Sequence, residues 1–262
     1  MSNGKKNKKK IRRTVIFAVL LMFIGGCVWY VNDYYRAEPE VEECFQGSSV
    51  SAGSGEVTIS EIDDGLFLDG AGTENALIFY PGAKVEYTAY VPLLYRLAEN
   101  SVDVFLIKMP CNFAFLGIDK AGDIADEYRY EHWYLGGHSL GGAMAAVYAA
   151  DLLEDGDLWL DGLVLMAAYP TKSLHNADMK VLTIYGSEDG VVNMKKVAEG
   201  RKLMPGDSAE TGKSAVEKVI EGGNHAQFGC YGKQTGDGAA VISEEVQWDQ
   251  TVDAVLDMME LR

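Results

Sequence analysis

The sequence predicts an α/β domain: a mostly parallel sheet with helices on both faces, placed behind an N-terminal apolar segment. Three observations carry this reading. From residue 57 onward, short apolar runs of buried-strand type alternate with segments of helical spacing. Two of those runs stop at prolines, Pro81 and Pro110, as strands do when the chain must turn. One run passes through glycines straight into an Ala-rich helix. Gly is frequent at 29 and Pro sparse at 6, which suits a loop-punctuated α/β chain.

The elements follow in order. Residues 1–13 hold seven Lys or Arg and no acid, and form a basic tail. Thr14–Val31 is free of charge over 18 positions, the lower end of a membrane-spanning helix, with Trp29 and Tyr30 at its distal end. The positive residues precede it, so the tail is expected to stay in the cytoplasm and the body to lie outside, at the cell membrane. The principal reading is an uncleaved signal anchor. Two others stay open: a lipoprotein signal, since Ile24-Gly25-Gly26-Cys27 resembles a lipobox, and a cleaved secretory peptide. Residues 32–56, acidic and then rich in Ser and Gly, read as a linker, which leaves 57–262 as the folded domain.

Within that domain, Val57–Ile62 and Leu66–Leu68 flank Asp64-Gly65 and read as a hairpin. Ala76–Tyr80, Val102–Met109, Leu163–Ala168, Val181–Tyr185 and Ala215–Glu221 read as strands, and another begins at Trp133–Leu135. Helices are predicted over Tyr87–Glu99, Asp119–Tyr128, Leu140–Leu153, Val191–Leu203 and Glu244–Leu261. In open sheets of this kind, sites form beyond the carboxyl ends of the strands.

Charge narrows the partners. The whole chain carries −16, and without the tail the body holds 16 basic against 39 acidic side chains, a net of −23. Such a body repels phosphate backbones and offers nucleic acid no footprint.

Gly137-His138-Ser139-Leu140-Gly141 fits G-x-S-x-G, between an apolar strand and an Ala-rich helix. That setting makes Ser139 the candidate nucleophile, because the turn exposes its hydroxyl and the helix aims N–H groups at a developing oxyanion. A hydroxyl needs a base. Of four histidines, His225 follows the last strand in Gly222-Gly223-Asn224-His225 and is the choice. His138 adjoins the serine and should point away from it, His132 opens a strand at the far end, and His175 sits in a short connection. The orienting acid is read as Asp189, just past the strand VLTIY. Glu188 is one residue off, and Asp161 and Asp178 precede strands. The order Ser139, Asp189, His225 is the one such a sheet uses. Oxyanion donors are expected from the N–H of Leu140 and of Ala83, in Pro81-Gly82-Ala83-Lys84. Lys84 reads equally as a charge near the site or as a solvated side chain.

The stretches FYPGAKVE, GGHSLGG, YGSEDGVV and GGNHAQFGCYG resemble the α/β-hydrolase superfamily, and more narrowly small bacterial, often membrane-anchored members related to dienelactone hydrolases. The resemblance covers residues 57–262. It implies an eight-stranded, mostly parallel sheet, esterase-type chemistry and neither metal nor organic cofactor. The dienelactone enzymes use Cys where this chain has Ser139, which puts that substrate class in doubt. Only about a dozen residues join the strands Leu163–Ala168 and Val181–Tyr185, too few for a cap domain.

Four cysteines remain: Cys27 in the apolar run, Cys44 in the linker, and Cys111 and Cys230 on loops at the carboxyl edge. A disulfide between Cys111 and Cys230 would tether the His225 loop; the alternative is two separate small apolar residues. The expected activity is carboxylic-ester hydrolysis on a small-molecule or cell-envelope substrate. Acyl transfer to an envelope hydroxyl uses the same residues, and a non-catalytic surface binder is the alternative from another class.

Overall fold

A computed structural model of the chain describes residues 3–47, 57–206 and 214–262. It divides into two units, one ending at Tyr34 and one spanning Tyr35–Arg262. The first unit is α1 (Asn3–Asn32), whose segment Arg13–Asn32 has a mean hydropathy of 2.3 and is long and apolar enough to cross a membrane. Its apolar side chains, such as Phe17 and Phe23, have no core of their own and are exposed.

The second unit is built on eight strands. They are β1 (Thr58–Ile62), β2 (Gly65–Asp69), β3 (Asn75–Tyr80), β4 (Val102–Ile107), β5 (His132–His138), β6 (Gly162–Met166), β7 (Lys180–Gly186) and β8 (Ser214–Ile220). Their order across the sheet is β1-β2-β4-β3-β5-β6-β7-β8. The pairs β1–β2 and β2–β4 are antiparallel, and every other pair is parallel. The expected hairpin is the edge, and the predicted strands all form, with β5 continuing to the residue before Ser139.

The helices of this unit are α2 (Val41–Gly47), α3 (Val91–Ala98), α4 (Lys120–Glu127), α5 (Leu140–Asp155), α6 (Met194–Gly200) and α7 (Glu244–Met259). Strand periodicity sorts the side chains between two cores. On β3, Leu77 and Phe79 join α3 and α7, while Ala76, Ile78 and Tyr80 join α4 and α5. The α5 face is alanine, at positions 145, 146, 149 and 150, so this helix lies close against the sheet. Truncating a fully buried residue such as Phe79 to Ala removes about 3–5 kcal/mol. Ser243 caps α7 by accepting from the Val246 N–H, and Glu244 and Glu245 sit in its first, dipole-favoured turn.

One expectation needs correction. Residues 35–47, assigned to the linker, pack on the domain as its first segment. Tyr35 pairs in parallel with Val85, Val41 is buried at 3% exposure, and α2 lies against α3. The acidic spelling hid this, because the segment holds itself mainly by backbone bonds. The Ser/Gly-rich residues 48–56 lie outside the described residues.

Candidate active site

The predicted site residues come from four strand ends on the carboxyl edge of the sheet. Ser139 follows β5 with φ 53 and ψ −120, a conformation non-glycine residues rarely adopt. Its N–H is held by the Met166 carbonyl at 2.8 Å. The turn closes so tightly that a Cβ at Gly141 would lie 2.1 Å from the Tyr80 carbonyl oxygen. Only glycine lets the helix start there, which is the physical content of the motif.

Asp189 follows β7, and His225 follows β8. The His225 Nδ1 lies 2.9 Å from Asp189 Oδ2, and both side chains are 1% exposed. The other carboxylate oxygen accepts from the N–H groups of Val191 and Val192 at 2.8 and 2.7 Å. With Nδ1 donating to the carboxylate, Nε2 is left as the basic nitrogen. That atom is buried with no hydrogen-bond partner among the described residues, and its residue lines the same cleft as Ser139.

The cleft holds about 260 Å³ and is lined by Ser139, Leu140, His225 and small or branched residues, among them Ala143, Ala167, Ala168, Val191 and Val192. Ala167, at the end of β6, is itself at φ 50. Among the described residues, no helix or strand stands between β6 and β7.

Leu140 opens α5, and its N–H is one that a helix leaves without an internal partner. Ala83 lies in the loop after β3, half-buried, and no acceptor is assigned to its N–H among the described residues. Gly82 beside it is committed elsewhere, because its N–H donates to the Tyr90 hydroxyl at 3.0 Å. Lys84, at φ 56, is fixed through its backbone: its N–H reaches the Asn112 carbonyl and its carbonyl accepts from Tyr35.

The remaining candidates fall away by position. His132 starts β5 at the opposite edge, 3.5 Å from Asp161, and His175 and Glu188 are exposed. Asp161 and Asp178 are exposed ahead of β6 and β7. The structure does not join Cys111 and Cys230. Both thiols are free, Cys111 exposed on a left-handed turn and Cys230 buried in the apolar core under the His225 loop. Facing solvent and core respectively, they belong to different environments. Burial pushes the Cys230 thiol up to about 12, so it stays protonated.

Sequence reasoning missed two sets of residues. Asp237 accepts from the N–H groups of Gly190, His225 and Ala226 at 3.0, 3.3 and 2.8 Å. It ties the Asp189 loop to the His225 loop, and its only sequence signal is an ordinary Asp-Gly turn. The second set is Tyr90 and His138, both fully buried behind the site. Outside the cleft, Glu38, Cys230 and Glu244 bring one ligand atom each within 4.8 Å of one another, a grouping that is common without an ion.

The pattern of the alpha/beta hydrolase family matches residues 76–249, which is most of the chain, and the protein belongs to that family. The fold is also that of solved hydrolases. A thermostable esterase from Pseudomonas putida aligns with a TM-score of 0.54 at 14% identity, over 84% of this chain and 89% of that one. An esterase from Pyrobaculum calidifontis gives 0.54 at 15% identity, over 84% and 90%. A CIB-like hydrolase from Thermoplasma acidophilum gives 0.54 at 15% identity, over 78% and 99%. No curated protein matches by sequence. The family match is to alpha/beta hydrolases in general, and the narrower likeness to dienelactone hydrolases rests on the sequence stretches alone.

Proposed function

We propose that this protein is a serine hydrolase that cleaves a carboxylic ester through an acyl-enzyme. The observation that carries the reading is the buried Asp189–His225 pair, whose histidine lines the same cleft as the strained Ser139. His225 takes the Ser139 proton as the hydroxyl attacks the ester carbonyl. The N–H groups of Leu140 and Ala83 receive the oxyanion. The tetrahedral species collapses, the alcohol leaves with the proton from His225, and water then releases the acid by the same steps. Asp189 holds the imidazole in the required tautomer and supports its charged form.

Family membership and esterase neighbours are consistent with this chemistry. The apolar α1 and the basic residues ahead of it support a cell-membrane protein with its catalytic unit on the outer side, acting on a small or exposed ester. With no helix or strand between β6 and β7 among the described residues, the cleft also admits an acceptor other than water, so transfer to an envelope hydroxyl is the second reading.

Labelling of the full chain with a fluorophosphonate probe tests the reading. The wild type should label and Ser139→Ala should not. Equal labelling of the two would remove Ser139 from the role, and an unlabelled wild type would favour a non-catalytic binder.

A further inference from the structure

Behind the proposed site lies a polar chain sealed from solvent. Tyr90 is 0% and His138 1% exposed. The Tyr90 hydroxyl accepts from the Gly82 N–H at 3.0 Å and lies 2.8 Å from His138 Nδ1. A phenol has one proton. In the tautomer where the phenol donates that proton to Nδ1, His138 carries its own hydrogen on Nε2. His138 Nε2 is buried, and the polar group beside this ring is the backbone of His225.

Two further distances say what the network serves. The His138 ring centroid is 4.4 Å from that of His225, at 53°, and Phe228 lies 5.5 Å away on the same ring. At Gly82, a Cβ would sit 2.9 Å from both His138 Nδ1 and the Tyr90 hydroxyl, so the chain spends a glycine to let the loop reach them. The network therefore touches both halves of the proposed machinery: the loop that presents the Ala83 N–H, and the imidazole that must carry charge.

We propose that Tyr90 and His138 are a positioning pair, Tyr90 fixing the 81–84 loop through Gly82 and His138 backing the imidazolium of His225. This rests on the reading of His225 as the base and Ala83 as an oxyanion donor. An uncharged aromatic ring within about 6 Å supports a cation, whereas a second charge there would oppose it. His138 is suited to stay uncharged, because burial first, and then His225, push its pKa well below the usual 6.5. The titratable groups around His225 are Asp189 from the β7 loop, Asp237 from its own loop, His138 from β5 and, further out, Tyr231 and Tyr90. Asp189 holds Nδ1, Asp237 holds the backbone, and the pair lines the remaining side of the ring.

The two links give different signatures. Tyr90→Phe keeps the ring but frees the Gly82 N–H. It should lower kcat about tenfold to a hundredfold with KM nearly unchanged, and leave the acid limb of the pH profile in place. His138→Ala removes the ring and should move the acid limb of kcat/KM to lower pH by about half a unit to one unit. His138→Phe should restore the limb. The measurements are ester hydrolysis and fluorophosphonate labelling against pH on the full chain, with Ser139→Ala alongside and melting curves for each variant. If wild type labels and Ser139→Ala does not, the proposed function stands. Wild-type kcat in Tyr90→Phe, or an unmoved limb in folded His138→Ala, would then overturn the positioning pair alone. If His138→Ala does not fold, His138→Phe decides: a limb displaced from the wild type would count against the ring as the support. A wild type that does not label overturns both.

Discussion

Tyr35 lies in parallel register with Val85, its N–H donating to the Lys84 carbonyl at 2.7 Å and its carbonyl accepting from the Glu86 N–H at 2.8 Å. The same segment reaches the other side of the site. The Glu38 N–H donates to the Cys230 carbonyl at 2.9 Å, and the Tyr35 hydroxyl accepts from the Thr235 N–H at 3.1 Å. Residues 35–47 thus brace the loops that bear Ala83 and His225. A chain shortened to begin at residue 48 should melt lower and lose about tenfold in kcat/KM against one beginning at residue 33. Indistinguishable melting and rates in the two would show that the bracing is idle.

Asp189→Asn keeps the size of the side chain and removes its charge. The tautomer of His225 is no longer imposed, and kcat should fall by roughly 10³ to 10⁴. Labelling by the fluorophosphonate should slow in parallel. A loss below about tenfold would remove Asp189 from the orienting role.

Asp237→Ala leaves the N–H groups of His225, Ala226 and Gly190 without their acceptor. The expected cost is about 1–3 kcal/mol in stability, with a drop in kcat as the two loops part. Urea unfolding gives the first number and ester hydrolysis the second. Asp237→Asn, which retains an acceptor oxygen, should recover part of both.

Glu244 has a predictable pH signature. Burial first, and then the charges of Glu38, Glu245 and Glu40, raise its carboxyl from 4.5 to about 7. The folded chain therefore holds this proton more tightly than the unfolded chain does. Its contribution to stability is full below about pH 4.5 and is lost as pH rises through about 7. Glu244→Gln should flatten the fall in urea midpoint across that window. A wild-type slope persisting in the variant would exclude Glu244 as its source.

The cleft of about 260 Å³ is small, and alanine and valine line much of it. Esters with acyl chains of about two to four carbons should be cleaved fastest, with kcat/KM falling at least about tenfold by eight carbons. Ala143→Leu should cut the butanoyl ester more than the acetyl ester. A flat response to acyl length would mean that the acyl group lies elsewhere.

Much of this was legible in the sequence because each piece had a local signature. Most of the parallel strands are short apolar runs, and Ser139, Asp189 and His225 each follow a strand. Tyr90, His138 and Asp237 lacked such a signature. Their meaning arises from contacts across 48 residues for the Tyr90–His138 bond and 12 for the bond from the His225 N–H to Asp237, and no spacing announces them. His138 was expected only to point away from Ser139; in the structure it bonds Tyr90 and lies with its ring 4.4 Å from that of His225. The segment 35–47 was misread for a different reason. Its attachment is through backbone hydrogen bonds, which composition does not encode, and its acids resemble those of a solvated linker. Cys111 and Cys230 shared a sheet edge by topology, but an edge is wide, and one faces solvent while the other faces the core.

The short connection between β6 and β7 has a kinetic meaning for the proposed reaction. On that reading, an acyl group carried by the half-buried Ser139 stays within reach of both water and a hydroxyl acceptor. The ratio of free acid to transferred product would then follow the local abundance of the two nucleophiles. The surroundings of the protein would weigh on the outcome alongside its residues.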